Sequence, residues 1–401
     1  MQKIAILKNI VQEYAWGSLT AIPDLLGIQN PKNTPQAELW MGAHPKAPSM
    51  VRCDGKWISL LELIDNHPED ILGKTVVKKF DARLPYLFKV LAAAKPLSIQ
   101  AHPNLDQAKE GFRRENAHDI PLNAPHRNYR DDNHKPECIC ALTPFWALCG
   151  FRKISKILTY FGQLCPQGLK DELAGLNDKK TPEGLKHFFS MLMTIEAERR
   201  KKIIAEVTRN IREFCGKDPA LQWIMNLSKE YPDDIGIFSP VLLNLIYLEP
   251  GQAIFLAAGQ LHAYLDGVGI ELMANSDNVL RGGLTPKHVD VQELLNVLHF
   301  DDREVIFLEP KEENNAEYVY TSPAEEFVLS VIYLSTDDSY RSIRRRTVEI
   351  LLCTEGAAEL MDIGSNDMIS LRKGMSVIIP SAVTGYKIKG AATFYKAAVP
   401  L

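Results

Sequence analysis

Gln100 and His102 stand two residues apart in the stretch PLSIQAHPNL, which otherwise has the character of a half-buried strand. Side chains alternate between the two faces of a strand, so both polar groups point the same way, and Pro103 ends the ladder directly afterwards. Two polar groups on an inward face are costly unless they are paired, so they need hydrogen bonds, water or a metal ion. Taken alone, the pair is better explained by hydrogen bonding within a core.

Glu137 adds a carboxylate at the entry to a second apolar strand, in DDNHKPECICAL. A carboxylate at this place is a candidate metal ligand, and a loop salt bridge with Lys135 is the alternative. His262 adds a second imidazole in AAGQLHAYLDG, where Gly259 permits a tight turn before an apolar strand. Two imidazoles, a carboxylate and an amide oxygen suit Zn²⁺ or a neighbouring divalent ion with an open position for water.

A rival metal site would use the cysteines that follow Glu137. Cys138, Cys140 and Cys149 include no pair at the C-x-x-C spacing that is typical of structural zinc. We therefore interpret these residues as buried thiols.

A group of charged residues follows in IELMANSDNVLRGGLTPKHVD, and it comprises Glu271, Asp277, Arg281 and Lys287. The sequence predicts a helix over residues 285–299, capped by Thr285 and opened by Pro286. Basic residues beside a helix N-terminus favour the binding of an anion. A solvated loop with routine ion pairs is the alternative, although an arginine followed by two glycines is seldom needed for packing.

The composition is that of a globular protein, with 46% hydrophobic and 24% charged residues among 401. A formal net charge of −4 gives no reason to expect nucleic-acid binding, and no apolar run is long enough to cross a bilayer. The first residues lack the pattern of an export signal, and the 7 cysteines have no regular spacing. We expect a cytoplasmic protein with free thiols that binds neither nucleic acid nor membrane.

Three sequence patterns follow one another along the chain. Short strand-like segments rich in turns precede and follow a stretch with helical periodicity. Within that stretch, Thr181-Pro182 and Asp218-Pro219 are typical N-caps with proline at the first helical position. The sequence therefore predicts a mainly β protein with an inserted α-helical domain. The predicted division is a catalytic β domain over residues 1–151 and 235–303, a helical insertion over 152–234 and a C-terminal β domain over 304–401.

An internal similarity relates the two predicted β domains. GQAIFLAAGQLHAYL begins at Gly251 and GMSVIIPSAVTGYKI begins at Gly374, and their apolar triplets superpose when the glycines are aligned. His262 then falls opposite Gly385. The similarity indicates a duplicated small β-barrel in which the second copy lacks metal ligands, and two unrelated hairpins are the alternative.

Several motifs resemble those of type I phosphomannose isomerases, which are zinc enzymes that interconvert mannose 6-phosphate and fructose 6-phosphate. They are QAHP, NHKPE, GQLHAYL and SDNVLRGGLTPK, together with YAWGS and AELWMGAHPKAPS nearer the N-terminus. The resemblance implies two cupin-like, jelly-roll β-barrels with a helical domain inserted. It also implies a phosphorylated hexose as substrate and one Zn²⁺ per chain, and we expect a monomer.

Position by position, the resemblance implies that the zinc ligands are Gln100, His102, Glu137 and His262. Arg281 corresponds to the active-site arginine of the family, and Lys135 is the second residue expected to act in catalysis. The remaining residues expected to line the substrate pocket are Trp16, Lys89, His134, Tyr264, Glu271, Asp277 and Lys287.

This set of residues supports an aldose–ketose isomerisation by proton transfer through a metal-stabilised cis-enediolate, with Arg281 near the developing charge. The candidates for the general base are Lys135, Glu271, His134 and a metal-bound water, and a hydride shift is the alternative mechanism. For the phosphate we expect Lys287 and the helix that begins at Pro286. An iron-dependent oxygenase and a non-catalytic sugar-binding protein are the rival classes.

Overall fold

The strands and helices are those of a computed structural model that describes residues 2–53, 55–214, 216, 218–301, 305–314, 316–343 and 345–401. The strands are β1 (Ala5–Lys8), β2 (Ile10–Gln12), β3 (Glu38–Met41), β4 (Met50–Cys53), β5 (Lys56–Ser59), β6 (Tyr86–Ala93), β7 (Ile99–Ala101), β8 (Glu137–Ala141), β9 (Phe145–Phe151), β10 (Leu243–Leu248), β11 (Ala253–Leu256), β12 (His262–Ala274), β13 (Leu280–Gly283), β14 (Ile306–Leu308), β15 (Pro310–Asn314), β16 (Glu317–Tyr320), β17 (Val328–Leu334), β18 (Ser339–Arg341), β19 (Glu349–Asp362), β20 (Met368–Arg372), β21 (Ser376–Ile379) and β22 (Tyr386–Ala398).

The helices lie between these strands. They are α1 (Ala21–Leu26), α2 (Leu60–Asn66), α3 (Pro68–Leu72), α4 (Lys74–Lys79), α5 (Leu105–Ala117), α6 (Ile154–Leu164), α7 (Lys170–Asp178), α8 (Pro182–Met193), α9 (Ala197–Phe214), α10 (Pro219–Glu230), α11 (Ser239–Leu242) and α12 (Val291–Val297), and a 3₁₀ turn covers Ile235–Phe238.

Sheet I, as we name the first of the two sheets, is organised around the long strand β12. Its main path runs β14-β11-β8-β12-β6-β3-β2, and β7, β9, β10 and β13 join beside it. The second half of β12 pairs with β6 and β8, whereas its first residues pair with β7 and β9. One strand therefore connects two layers, and its first residue, His262, lies where they meet.

Sheet II contains most of the C-terminal strands, in the order β15-β16-β17-β22-β19-β21-β1-β4-β5, with β18 and β20 beside them. The N-terminal strand β1 joins it through pairing with β21, while β14 pairs with β11 of sheet I. Strands are thus exchanged between the sequence segments assigned to the two β domains. The division into domains stays a prediction, and its boundary at 303/304 lies outside the described residues.

The mainly β architecture with a helical region is confirmed, but the two closed barrels are not. Strand pairing among the described residues closes neither sheet into a ring. The internal similarity of the sequence does correspond to similar structure, because β11 and β21 are both followed by a loop and then by a strand of 13 residues.

The helical region packs its apolar faces onto sheet I. Thr181 accepts a hydrogen bond from the backbone of Gly184, and Asp218 accepts one from Ala220, as the two proline-containing caps predict. Phe161 and Phe188, on α6 and α8, are buried in one cluster with residues of sheet I. Burial of such side chains stabilises the helices more than their intrinsic propensity does.

The prediction of a helix over residues 285–299 is wrong about where the helix starts. Residues 284–287 form a bend, and the helix α12 begins only at Val291, where the side chain of Asp290 accepts a hydrogen bond from Glu293. The hydroxyl of Thr285 instead accepts a bond from the backbone of Lys287, two residues away. Both residues have N-cap chemistry, and the apolar spacing that begins at Val291 decided where the helix starts.

Sheets I and II share a hydrophobic core. Phe88 and Leu272 of sheet I are fully buried in one cluster with Val331 and Ile350 of sheet II. Tyr86 crosses between the sheets, and its hydroxyl donates to the backbone oxygen of Ala397 at 3.1 Å. Among the described residues, the helices include none that is both long and apolar enough to cross a membrane.

We predict that Tyr86→Phe lowers the free energy of unfolding by about 1 kcal/mol, because it removes the buried hydrogen bond to the carbonyl of Ala397. Urea denaturation followed by circular dichroism measures this change. Tyr247→Phe is the matched control, since that tyrosine is 46% exposed on β10. An equal effect of the two substitutions would contradict the role given to the Tyr86 hydroxyl.

Candidate metal centre

Three side chains meet at the point where the two layers of sheet I join. His102 follows β7, Glu137 opens β8 and His262 opens β12, and all three residues are at most 1% exposed. The Nε2 atom of His102 lies 3.3 Å from Oε1 of Glu137, and Nε2 of His262 lies 3.4 Å from Oε2 of the same carboxylate. The predicted convergence of residues distant in sequence is therefore present.

Backbone carbonyls hold the outer nitrogen of each imidazole. Nδ1 of His102 lies 2.7 Å from the oxygen of Asn278, and Nδ1 of His262 lies 2.9 Å from the oxygen of Gln260. Because a carbonyl only accepts hydrogen bonds, each Nδ1 carries the proton and donates it. Each Nε2 is then left with its lone pair directed at the other ligands, which is the tautomer that binds a metal.

The atoms that face each other lack hydrogen bonds. Among the described residues, Nε2 of His102, Nε2 of His262 and Oε2 of Glu137 are buried and have no hydrogen-bond partner. Ligand atoms bound about 2.05 Å from a tetrahedral ion lie about 3.3 Å apart, which is close to the two separations found here. The three residues therefore fit a divalent ion such as Zn²⁺.

Gln100 lies beside this group on β7. Its Cα is in register with that of His262 on one side and with that of Arg281 on the other. The backbone of Gln100 thus lies between a candidate metal ligand and the arginine. Its role as a fourth ligand stays a prediction.

The loop that precedes His262 requires glycine. Gly259 has φ of 73°, and a Cβ atom on it would lie 2.8 Å from the backbone oxygen of Val297. Its own carbonyl accepts a hydrogen bond from the backbone of His299. The close approach of the segment after α12 therefore determines how the chain enters β12 at the metal ligand.

Lys135 contacts the carboxylate that joins the two imidazoles. Its Nζ lies 2.9 Å from Oε1 of Glu137, and the lysine is only 8% exposed. Burial by itself would raise the pKa of Glu137, but Lys135 and His102 lower it well below its ordinary value. The carboxylate is thus kept ionised, as a metal ligand must be.

A second buried ion pair lies further along β12. Nζ of Lys89 is 2.7 Å from Oε2 of Glu271 and 3.7 Å from Oε1 of Glu38. The indole of Trp40 donates to the other oxygen of Glu38 at 2.7 Å. Burial raises the pKa of Glu271, whereas the ammonium of Lys89 opposes this rise. A buried carboxylate with a raised pKa is a candidate general base.

Asn278 fixes the loop that carries the basic residues. It is fully buried, its Oδ1 accepts from the backbone of Arg130 at 2.7 Å, and its Nδ2 donates to the carbonyls of Asp131 and Asn133. Its own carbonyl is the one that orients His102. A single side chain therefore ties the NHKPE segment and the first histidine to the start of β13.

Three basic side chains lie near one another beside this loop. Burial, and then the neighbouring Arg130, lowers the pKa of Arg281. The pKa of Lys287 is lowered too, by burial and then by both arginines. Within the described parts of the chain, no carboxylate oxygen lies within 4.0 Å of any of the three side chains. Such uncompensated cations favour the binding of an anion.

Two predicted pocket residues have other partners. Asp277 pairs with Lys46 at 2.8 Å and lies 3.6 Å from Nε2 of His44, so it holds the AHPK segment. His134 lies 2.6 Å from Oε1 of Glu326, beyond β16 in the sequence. His134 is therefore turned towards the segment before β17, and its predicted contact with substrate gains no support.

Tyr264 lies beside a metal ligand, and Trp16 is the other aromatic residue that was predicted to line the pocket. The ring centroid of Tyr264 is 6.3 Å from that of His262, and burial, and then Glu271, raises the pKa of its hydroxyl well above the ordinary value. Trp16 is partly buried and packs against the cluster that contains Tyr264. The roles of Tyr264 and Trp16 in the substrate pocket stay predictions.

Comparison with known proteins gives one consistent result. The model of the type I phosphomannose isomerase catalytic domain matches residues 4–154, and that of the helical insertion domain matches residues 167–243. The mannose-6-phosphate isomerase of Escherichia coli (strain K12) is 41% identical over 393 residues, which is 97% of each chain. The human enzyme of the same name is 33% identical over 402 residues, covering 92% of this chain and 91% of its own.

A crystal structure of zinc-bound mannose 6-phosphate isomerase superposes with a TM-score of 0.93. It is 39% identical, and the match covers 99% of this chain and 100% of that one. The chain belongs to the type I phosphomannose isomerase family.

In this phosphomannose isomerase, sequence reasoning missed Glu38, Trp40, Arg130 and Asn278. The first two alternate on β3 in AELWMGAHPKAPS, so the same alternation that singled out Gln100 was available there. Arg130 directly precedes DDNHKPE, and Asn278 follows Asp277 in SDNVLRGG. The rival site is excluded, because Cys138, Cys140 and Cys149 are free thiols buried among apolar residues.

We predict that the stability of the chelator-treated phosphomannose isomerase falls by up to about 3 kcal/mol as the pH is lowered from about 6.5 to about 4. Burial lowers the pKa of His102 to about 4, and Lys135 contributes to this. Between these values the unfolded chain binds a proton that the folded protein excludes, so the stability is present above the window and lost within it.

Urea denaturation at a series of pH values measures this effect. His102→Asn is expected to reduce the change of unfolding free energy with pH. His288→Asn, at an exposed position, is expected to leave this change as it is. A slope that is unchanged in His102→Asn would assign the titration to another group.

Proposed function

We propose that this chain is a zinc-dependent mannose-6-phosphate isomerase, which interconverts mannose 6-phosphate and fructose 6-phosphate. The convergence of His102, Glu137 and His262, with buried ligand atoms that lack any other partner, is the observation that carries the proposal. Membership of the family and the zinc-bound relative support it. The cupin-like description of the sheets, the monomeric state and the cytoplasmic location stay predictions.

We assign the zinc to Gln100, His102, Glu137 and His262. When bound there, the ion supplies a Lewis acid that polarises the carbonyl group of the open-chain sugar without redox chemistry. Lys135 keeps Glu137 ionised, and its ammonium is also placed to donate to a sugar oxygen near the ligands. This is the part we assign to Lys135 in catalysis.

For the proton transfer we assign Glu271 as the base. Its carboxylate takes the proton from C2 of the aldose, and the electron pair of that C–H bond forms the C1–C2 double bond of a cis-enediolate. The same carboxylate returns the proton to C1, and the hydroxyl proton passes from O2 to O1, which completes the ketose. Lys89, 2.7 Å from Oε2 of Glu271, holds the carboxylate in place.

For the phosphate we assign the basic group formed by Arg130, Arg281 and Lys287. Burial, and then the charge of Arg130, lowers the pKa of Arg281, and burial followed by both arginines lowers the pKa of Lys287. An anion between these side chains would relieve the repulsion. Because the helix starts at Val291, a helix N-terminus at Pro286 no longer supports the phosphate site. Because Arg281 is in register with Gln100, we also assign it to the reacting end of the sugar.

We predict that Glu137→Ala and His262→Ala lose the bound zinc, and that isomerase activity falls about a hundredfold or more, since Lewis-acid stabilisation is worth several kcal/mol. Metal analysis of the purified variants and a coupled assay on mannose 6-phosphate measure both effects. His187→Ala, exposed on α8, is the control. Folded variants with stoichiometric zinc and full activity would overturn the metal assignment.

We predict different kinetic effects at the two arginines. Arg281→Ala is expected to lower kcat with zinc still bound, because its charge acts on the transition state. Arg130→Ala is expected to raise KM for mannose 6-phosphate, because it binds the phosphate equally in ground and transition states. Steady-state kinetics separate these effects, with the exposed Arg113→Ala as control. A rise in KM alone for Arg281→Ala would move that residue from catalysis to binding.

A further inference from the structure

Sheet II contains a buried group of charges that the proposed reaction does not use. We name it the sheet II cluster, and it consists of Glu317, Arg346, Glu349 and Lys396. Glu317, Glu349 and Lys396 are 1%, 2% and 4% exposed, and the side chain of Arg346 is 3% exposed. Buried ion pairs seldom add stability over apolar packing, so stability alone is a weak reason for this cluster.

Lys396 lies between the two carboxylates of the cluster. Its Nζ is 2.5 Å from Oε1 of Glu317 and 3.4 Å from Oε1 of Glu349. Nη1 of Arg346 is 3.6 Å from the other oxygen of Glu349, and Tyr340 donates to Glu317 at 2.7 Å. Burial by itself would raise the pKa of Glu317, but Lys396 holds it below its ordinary value. The cluster pairs two acidic with two basic side chains, so its formal charges balance.

The cluster occupies the position in sheet II that the metal ligands occupy in sheet I. In sheet I, the last residue of β11, Leu256, is in register with Glu137 at the start of β8. In sheet II, the last residue of β21, Ile379, is in register with Glu349 at the start of β19. The internal similarity of the sequence aligns Leu256 with Ile379. Glu349 is thus the counterpart of Glu137.

The sheet II cluster lines a cavity of about 330 Å³. Small-molecule pockets usually measure roughly 300–1,000 Å³, so this volume suits one small ligand. Phe327 and Val399 supply apolar wall, and the lining extends to Ile343, which is 37% exposed. The cavity therefore reaches the protein surface.

Three atoms of the cluster lack hydrogen bonds. Within the described ranges of the chain, Oε1 of Glu317, Oε2 of Glu349 and Nε of Arg346 are buried without a hydrogen-bond partner, and the first of them lies 2.5 Å from Nζ of Lys396. Glu349 and Arg346 both line the cavity, and because a carboxylate accepts and a guanidinium donates, a ligand that bonds to both side chains must donate and accept. A hydroxyl group does both.

The charge around the cavity argues for a neutral ligand. Three anionic side chains line it, Glu313, Glu317 and Glu349, and three cationic ones match them, which are Arg345, Arg346 and Lys396. An added net charge would be unbalanced in a buried site. A metal ion is disfavoured as well, because the ammonium of Lys396 already lies between the carboxylates.

We infer that this cavity is a second binding site, separate from the metal centre, for a neutral polyhydroxylated molecule of monosaccharide size. Hydroxyl groups of the ligand bond to Glu349 and Arg346, and its C–H faces contact Phe327 and Val399.

Methyl NMR of the full-length, zinc-loaded protein, labelled at isoleucine δ1 carbons, tests the site with mannitol as the probe. We expect a saturable chemical-shift change at Ile343, assigned through Ile343→Val, and none at Ile306, which is exposed on β14 of sheet I. Inorganic phosphate and glycine serve as the anionic and zwitterionic probes, and we expect neither to change the Ile343 resonance.

Two variants and a control complete the test. Glu349→Gln is expected to weaken mannitol binding about tenfold or more, because it removes a charged hydrogen-bond acceptor. Ala398→Leu fills the cavity and keeps every charge, so it is expected to abolish the Ile343 shift and leave isomerase activity unchanged. Glu359→Gln, exposed on the same strand β19, is expected to bind mannitol normally.

No saturable shift at Ile343 with mannitol, or the same shift in Ala398→Leu, would overturn the site. A larger response to phosphate or to glycine would overturn the ligand class. If Glu349→Gln does not fold, the comparison of Ala398→Leu with Glu359→Gln decides. Because Ile343 reports on sheet II alone, a failure here is separate from a failure of the proposed isomerase function.

Discussion

The constraint on which the catalytic part of this protein depends is a carboxylate and two imidazoles buried together, with three of their facing atoms left, among the described residues, without hydrogen bonds. Glu137 lies between His102 and His262, at 3.3 and 3.4 Å, in a region from which water is largely excluded. Buried polar atoms are costly when unpaired, and two lone pairs and a carboxylate oxygen that face one another also repel. A shared cation removes both costs at once, so the site makes physical sense as a metal centre.

The architecture of sheet I follows from the need to bring these residues together. β12 is long enough to pair with four strands, so its first residue supplies a ligand and a residue further along, Glu271, supplies the candidate base. Asn278 then joins the loop before Glu137 to the carbonyl that orients His102. The ligands, the base and the basic group are thus positioned by backbone register and one buried amide, which leaves little freedom for the geometry to relax.

Much of the site was predictable from sequence because its residues break the local pattern. A histidine or glutamine on an otherwise apolar strand has few explanations, so Gln100, His102 and His262 stand out by alternation alone. Lys89 was predicted only from family resemblance, whereas Glu271 was already singled out among the charged residues of IELMANSDNVLRGGLTPKHVD. Asn278 was missed because asparagine is common in loops, and its importance comes from hydrogen bonds to residues nearly 150 positions away. Long-range register of this kind, like the exchange of β1 and β14 between the sheets, has no local signature in the chain.

The start of α12 illustrates a different limit. Thr285-Pro286 and Asp290 both have the chemistry of a helix start, and local propensity does not distinguish them. The choice follows from packing, because a helix that begins at Val291 buries Leu294 and Leu295 against the helical region. The five residues before it, 286–290, are therefore not helical. That leaves Lys287 on a bend beside Arg130 and Arg281, where its charge adds to theirs.

The two sheets show two ways of balancing a carboxylate at the same strand position. In sheet II the ammonium of Lys396 is covalently part of the protein, so Glu349 has a permanent counter-charge and that place has no vacancy for a metal. In sheet I the corresponding carboxylate, Glu137, also has a lysine partner, Lys135, but it faces two imidazoles as well. Among the described residues, the Nε2 atoms of these imidazoles have no hydrogen-bond partner, so they are available to bind an ion. An ion brings coordination positions that the protein does not fill, and a substrate oxygen is able to take one of them. The two imidazoles beside Glu137 therefore distinguish the candidate metal centre of sheet I from the ion-pair cluster of sheet II.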